Sequence, residues 1–340
     1  MKKLILIALC FIVFPLSVFA QKVNDDPKKA RFITSDIDNF WRAFDLAAKE
    51  TDKEKKIAIF QSEYLDKGSA GLKDFIRMRI KTAKDLTETV ESLPRFYASV
   101  RASSLRVKTM EKQMRKAFAK FKKIYPEAVF PDVYFVIGIT NTGGTASDNG
   151  LLIGTELYGL TAQTPRDEFL EAFRKHAPKD LSEQQLRDRA ERLINIMLKP
   201  IEKITPVVAH ESCHFNQKYS ELKTLLAKSV QEGACDFIAE KTAGETLNVQ
   251  QKIYGDQHEA ELWREFQPEM TGENFRKWMY NGITSGERPP DLGYYMGYKI
   301  SHAYYANAKD KRQAIKDILE TKDFAAFLEK SRYAEKFAKQ

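Results

Sequence analysis

Cysteine is scarce in this chain, with three among 340 residues, and Cys10 falls inside an apolar leader. Only Cys213 and Cys235 remain for the folded part, which excludes a disulfide-dense scaffold. Long apolar runs are missing as well. After Phe19 none is long enough to span a bilayer, so no transmembrane segment is expected once the leader is gone. Repeats and low-complexity linkers are absent, which excludes solenoids and disordered tails. The formal charge of +8, or +6 without Lys2 and Lys3, is spread as mixed charge on helix faces. No nucleic-acid-binding signature accompanies it, so nucleic acid is not an expected partner.

Met1-Lys2-Lys3, the apolar stretch Leu4 to Phe19, and Val18-Phe19-Ala20 before Gln21 have the form of a secretory signal. Cleavage between Ala20 and Gln21 is expected, with a mature chain in the periplasm or outside the cell. Cys10 sits too deep in the apolar run for a lipoprotein signal.

Histidine is nearly as rare as cysteine, with five in the chain, yet two of them form His210-Glu211-Ser212-Cys213-His214. Histidines four apart project from one face of a helix, so both imidazoles can reach one Zn²⁺. The intervening Glu211 lies beside that metal, where it can accept a proton from water. Two ordinary histidines on a surface helix are the alternative. Against it, Thr205-Pro206 has the form of a helix start, and Val207-Val208-Ala209 calls for burial.

A third ligand is expected from a second helix. Glu232 follows His214 by eighteen residues and shares a helical face with Asp236, which could take the spare N–H of a ligand histidine. The other reading of Glu232 is a capping box with Ser229, and Glu240, Glu245 and His258 stand in reserve. Gly233 and Ala234 allow close helix approach. Cys213 and Cys235 each precede a site residue, and either a disulfide joining the two helices or a pair of buried thiols fits that placement.

These motifs, with Leu292-Gly293-Tyr294-Tyr295-Met296-Gly297-Tyr298-Lys299-Ile300 further on, resemble the predicted Zn-dependent proteases of the DUF2268 type. They are also similar to the gliding-motility lipoprotein family of Bacteroidota. Val133–Gly138, Asn141–Thr145 and Gly150–Glu156 add to the resemblance, which runs from about residue 53 to 310. It implies a gluzincin-like site, with His210, His214 and Glu232 as ligands and Glu211 as base.

The periodicity predicts a mainly α chain with a small β-sheet, an α+β protein with a zincin-like catalytic core behind an N-terminal helical region. Helices are expected over 33–50, from Asp52 to Tyr64, from Gly71 to about Asp85, over 94–123 as one long element, and over 183–199. Strands are expected over 133–139 and 150–157, joined by the Gly-rich turn Asn141–Thr145. That turn lacks the Gly-Lys-Ser/Thr ending of a phosphate loop. The expected division is 21–125 helical and 126–340 catalytic, forming one compact unit.

The 293–302 segment places Tyr294, Tyr298, Ser301 and Tyr305 on one helical stripe with His302 beside it. A zinc peptidase needs a donor for the oxyanion. Tyr298 is the expected donor, with His302 or Tyr295 as alternatives, against an aromatic core stripe. The expected activity is therefore hydrolysis of a peptide or protein substrate by a zinc metallopeptidase. A non-catalytic envelope or motility-associated structural protein with a relic metal site, or a zinc amidase acting on cell-wall peptides, are the alternatives.

Overall fold

The computed structural model describes residues 23–338, apart from 176, 178–179 and 283–287. The expected signal over residues 1–20 lies outside the described residues. In chain order the elements are β1 (Phe32–Ile33), α1 (Ser35–Ala47), α2 (Lys53–Phe60), α3 (Ala70–Phe75), α4 (Ala83–Ser92), α5 (Pro94–Arg106) and α6 (Glu111–Ile124). Then come β2 (Val133–Val136), β3 (Gly144–Ser147), β4 (Gly150–Gly154), α7 (Arg166–Arg174), α8 (Glu183–Met197), α9 (Ile204–Asn216) and α10 (Leu225–Ala243). The chain continues through α11 (Val249–Gln257), α12 (Glu259–Phe266), α13 (Leu292–Asn307), α14 (Lys311–Glu320) and α15 (Phe324–Ser331). The protein is mostly helical with one small sheet, as the periodicity predicts. No described helix is long and apolar enough to cross a membrane.

The chain forms two compact units, and they do not divide between residues 125 and 126 as expected. One holds Ala30–Lys112 with Pro131–Ile204. The other holds Asn24–Lys29, Gln113–Phe130 and everything from Thr205 onward. The physical reason is α6. Its apolar stripe Met114, Phe118 and Phe121 is buried, with Phe118 and Phe121 packed on Phe130. Just beyond it, Tyr125 donates to Glu320 Oε1 at 2.6 Å, and the Val129 N–H donates to Asn216 at 2.8 Å. The expected catalytic region is thus split: its sheet belongs with the N-terminal helices and its motif helix with the C-terminal ones.

The sheet runs β1-β2-β4-β3, with β1, β2 and β4 parallel and β3 antiparallel on the edge. All residues of β2 and β4 are buried, as befits parallel strands covered on both faces. Against them lies an aromatic core in which Phe40 meets Trp41 and Tyr64 edge-on at 4.9 and 5.3 Å.

Several elements stop earlier than their sequence patterns predict, each for a local hydrogen-bonding reason. The strand expected over 133–139 ends at Val136 because side chains take its later backbone donors. Tyr64 Oη accepts from Ile137 N–H at 3.0 Å, and Glu156 accepts from Gly138 and Thr140 N–H at 2.9 and 3.0 Å. The helix over 94–123 is two, because Thr109 Oγ1 bonds back to the Arg106 carbonyl and a tight turn buries Val107 and Met110. Thr82 caps α4 by accepting from Asp85 N–H, with Lys81 before it at φ 75°.

Glu156 is fully buried, and burial pushes its carboxyl up to about 7 despite those two backbone donors. Between about pH 4.5 and 7 the folded protein therefore keeps a proton that the unfolded chain gives up, so stability falls as pH rises through that window. The expected contribution is about 3 kcal/mol in total. Urea unfolding of Glu156→Gln and wild type should give similar midpoints near pH 4.5 and a growing advantage for the variant toward pH 8. A difference that does not move with pH would show that Glu156 is not the group responsible.

Candidate metal centre

The motif helix α9 is buried from Ile204 to Ser212, so Val207-Val208-Ala209 does draw it into the interior. The helix begins at Ile204, one residue ahead of the expected Thr205 cap. Its partner α10 starts earlier than the capping-box reading of Ser229 and Glu232 requires. Thr224 is the N-cap, accepting from Ala227 N–H, which leaves Ser229 and Glu232 inside the helix. Glu232 is thus free of any capping duty and lies buried at 1 % exposure.

A third helix, α13, lies directly against α10. A methyl group on Gly297 would overlap the Ser229 carbonyl, and one on Gly233 would overlap the Tyr298 backbone nitrogen. Only glycine permits backbones this close, and the approach brings the Tyr294 side of α13 to the site.

At the centre, His210 Nε2 and His214 Nε2 are 3.1 Å apart. Glu232 Oε2 lies 3.1 Å from the second and 3.5 Å from the first. Donors at about 2.05 Å from one tetrahedral zinc would be separated by about 3.3 Å. The triangle therefore has the size a zinc ion requires, and its chemistry of two imidazoles and a carboxylate suits that ion. Among the described residues these three form the one group of His, Cys, Asp and Glu side chains close enough to share a metal.

The far side of each histidine is also fixed. His210 Nδ1 is 3.1 Å from Asp236 Oδ1, and Asp236 Oδ2 accepts from Asn248 Nδ2 at 2.8 Å. His214 Nδ1 is 2.9 Å from Gln217 Oε1, and Gln217 donates to the Gln231 carbonyl at 2.7 Å. An N–H on each Nδ1 leaves both Nε2 lone pairs facing the triangle. Tyr280 completes the set by donating to Glu232 Oε1 at 3.4 Å.

The electrostatics call for positive charge. Burial alone would lower His210, but hydrogen bonds to Asp236 and Glu232 outweigh it and hold the pKa well above the ordinary value. For His214, burial is likewise overcome by the charge and hydrogen bond of Glu232, which push it up to about 9. Burial would raise Glu232, yet the two imidazoles hold it well below the usual carboxylate range. Glu211 is buried at 2 %, and its charge acts on both histidines. Three buried carboxylates around two imidazoles are offset in part by protons or by one divalent cation.

The structure does not bring Tyr298 or His302 to this triangle. Tyr298 donates to Glu240 Oε2 at 2.6 Å, and His302 packs edge-on against Phe237. Tyr295 donates to Asp256. Of the reserve ligands, Glu240 is engaged by Tyr298 and His258 stacks on Tyr254. Glu245 is not part of the triangle. Cys213 and Cys235 are buried free thiols, with Cys235 Sγ 3.4 Å from His214 Nδ1. Sequence reasoning missed Gln217, Asn248 and Tyr280. Gln217 is three residues from His214, a helical neighbour that the spacing could have disclosed. The other two are brought in by the fold.

The model of the family described as gliding motility protein GldB matches residues 21–335. The chain belongs to that family. No curated protein and no solved structure matches it. The GldB match carries the gliding-motility side of the expected resemblance, while the zinc-protease side rests on the motifs alone.

Proposed function

We propose that this protein is an envelope-associated member of the GldB family that binds zinc through His210, His214 and Glu232. Glu211 serves as the base in hydrolysis of a peptide bond. The donor triangle of 3.1, 3.1 and 3.5 Å carries the reading, because it has the dimensions of a tetrahedral site without any rearrangement. A zinc ion there would supply a Lewis acid and acidify water toward about pH 7.

The protein's own groups do the rest. Asp236 and Gln217 hold the two imidazoles in the ligand tautomer. Tyr280 holds the outer oxygen of Glu232, so that the inner one faces the histidines. Glu211 adjoins His210 and accepts a proton at its carboxylate, then returns it to the leaving amine. Glu211→Gln should keep its zinc and lose about a thousandfold in hydrolysis of a mixed peptide library. Undiminished turnover would remove Glu211 from the mechanism.

The family relation favours a second reading, a non-catalytic part of a motility assembly in which the metal site only holds helices together. The two separate at the same variant. A structural part carrying Glu211→Gln supports gliding as well as wild type does, whereas a peptidase required for gliding does not.

A further inference from the structure

α13 carries a run of tyrosines, and most of their hydroxyls are taken. Tyr295 donates to Asp256 at 3.1 Å, Tyr298 to Glu240 at 2.6 Å and Tyr304 to Asp317 at 2.8 Å. Tyr294 differs. Its ring lies nearly parallel to the His210 imidazole, at 14° with centroids 6.4 Å apart. The side chain is 5 % exposed, and its hydroxyl makes no hydrogen bond among the described residues while keeping some contact with solvent. A phenol left unbonded at the edge of solvent is free to donate to a group that arrives there.

Its surroundings say what acceptor would suit it. A phenol ordinarily keeps its proton at neutral pH, and this one lies beside His210. An unbonded phenol stacked beside His210 is a hydrogen-bond donor available to negative charge that arrives at the centre. Tyr280, by contrast, already donates to Glu232. Its backbone is held in the left-handed region at φ 56°, with its N–H on Asp291 Oδ1 at 2.5 Å. Such a conformation is costly for an aromatic residue and fixes Tyr280 as a positioning residue of the ligand carboxylate.

We propose that Tyr294 is the catalytic donor that hydrogen-bonds the oxyanion formed when a peptide carbonyl is attacked at this centre. The inference rests on the zinc reading and deepens it. The phenol donates a hydrogen bond and keeps its proton, so no bond to Tyr294 forms or breaks. Tyr298, one helical turn further along α13, is replaced in that role.

The experiment uses the full mature chain loaded with Co²⁺, titrated with acetohydroxamate and followed by its visible spectrum. Tyr294→Phe keeps the ring and the stacking. It should bind one equivalent of Co²⁺ as wild type does and bind acetohydroxamate about tenfold to a hundredfold more weakly. Tyr280→Phe should do the reverse, weakening Co²⁺ binding while leaving acetohydroxamate affinity of the loaded protein unchanged. Wild-type affinity in Tyr294→Phe would overturn the proposal. Loss of Co²⁺ from that variant would overturn it too, by making Tyr294 a packing residue for His210. A wild type that takes up no Co²⁺ fails at an earlier point: it sinks the metal reading, and Tyr294 with it.

Discussion

Glu232→Ala should bind zinc about a thousandfold more weakly than wild type, with a similar loss in His214→Ala. Structural zinc sites are worth about 10–16 kcal/mol, so one of three protein ligands accounts for about 4 kcal/mol, or about a thousandfold in Kd. Glu232 should reach that figure because its inner oxygen meets both imidazoles at 3.1 and 3.5 Å and, among the described residues, no other carboxylate completes the triangle. Glu240→Ala provides the contrast. Glu240 accepts from Tyr298 and lies outside the triangle, so zinc should stay bound. Competition titration with a chromophoric chelator measures each Kd. Unchanged affinity in Glu232→Ala would move the third ligand elsewhere.

Gly297→Ala should destabilise the unit that holds the site by about 3 kcal/mol, about 8 °C in Tm. The added methyl would overlap the Ser229 carbonyl and crowd the Val230 nitrogen. Those are backbone atoms within α10 and cannot rotate aside as a side chain could. Alanine's better helix propensity returns about 1 kcal/mol, too little to offset the overlap. Since Ser229 precedes Glu232 by less than one turn, the same variant should also bind zinc more weakly. Gly244→Ala separates overlap from backbone strain. Gly244 closes α10 at φ 99° with nothing near its missing Cβ, so its variant should lose only about 1 kcal/mol and no zinc. A Gly297→Ala protein as stable as wild type would show that α10 and α13 can part without cost.

The site was legible where chemistry and helical geometry coincide. Histidines four apart on one helix must share a face, so His210 and His214 could be paired from spacing alone. Asp236 followed from Glu232 by the same rule, and it does meet His210. The rule gave less on α13. Tyr294 and Tyr298 lie on the same stripe, and periodicity cannot say which turn of the stripe faces the histidines. The crossing at Gly233 and Gly297 decides it, bringing Tyr294 to His210 and leaving Tyr298 with Glu240.

By itself the sequence determined the mainly helical character, the buried motif helix and the grouping of His210, His214 and Glu232, because these depend on periodicity and on residue chemistry. Tertiary structure decided the rest. It divided the chain into interleaved units, since α6 buries its stripe with Phe130. It ended β2 early, since Glu156 and Tyr64 hold the donors that would have continued the ladder. It also chose the outer partners Gln217, Asn248 and Tyr280. These depend on which surfaces meet, and a pattern along one element says where its apolar face is but not what will cover it.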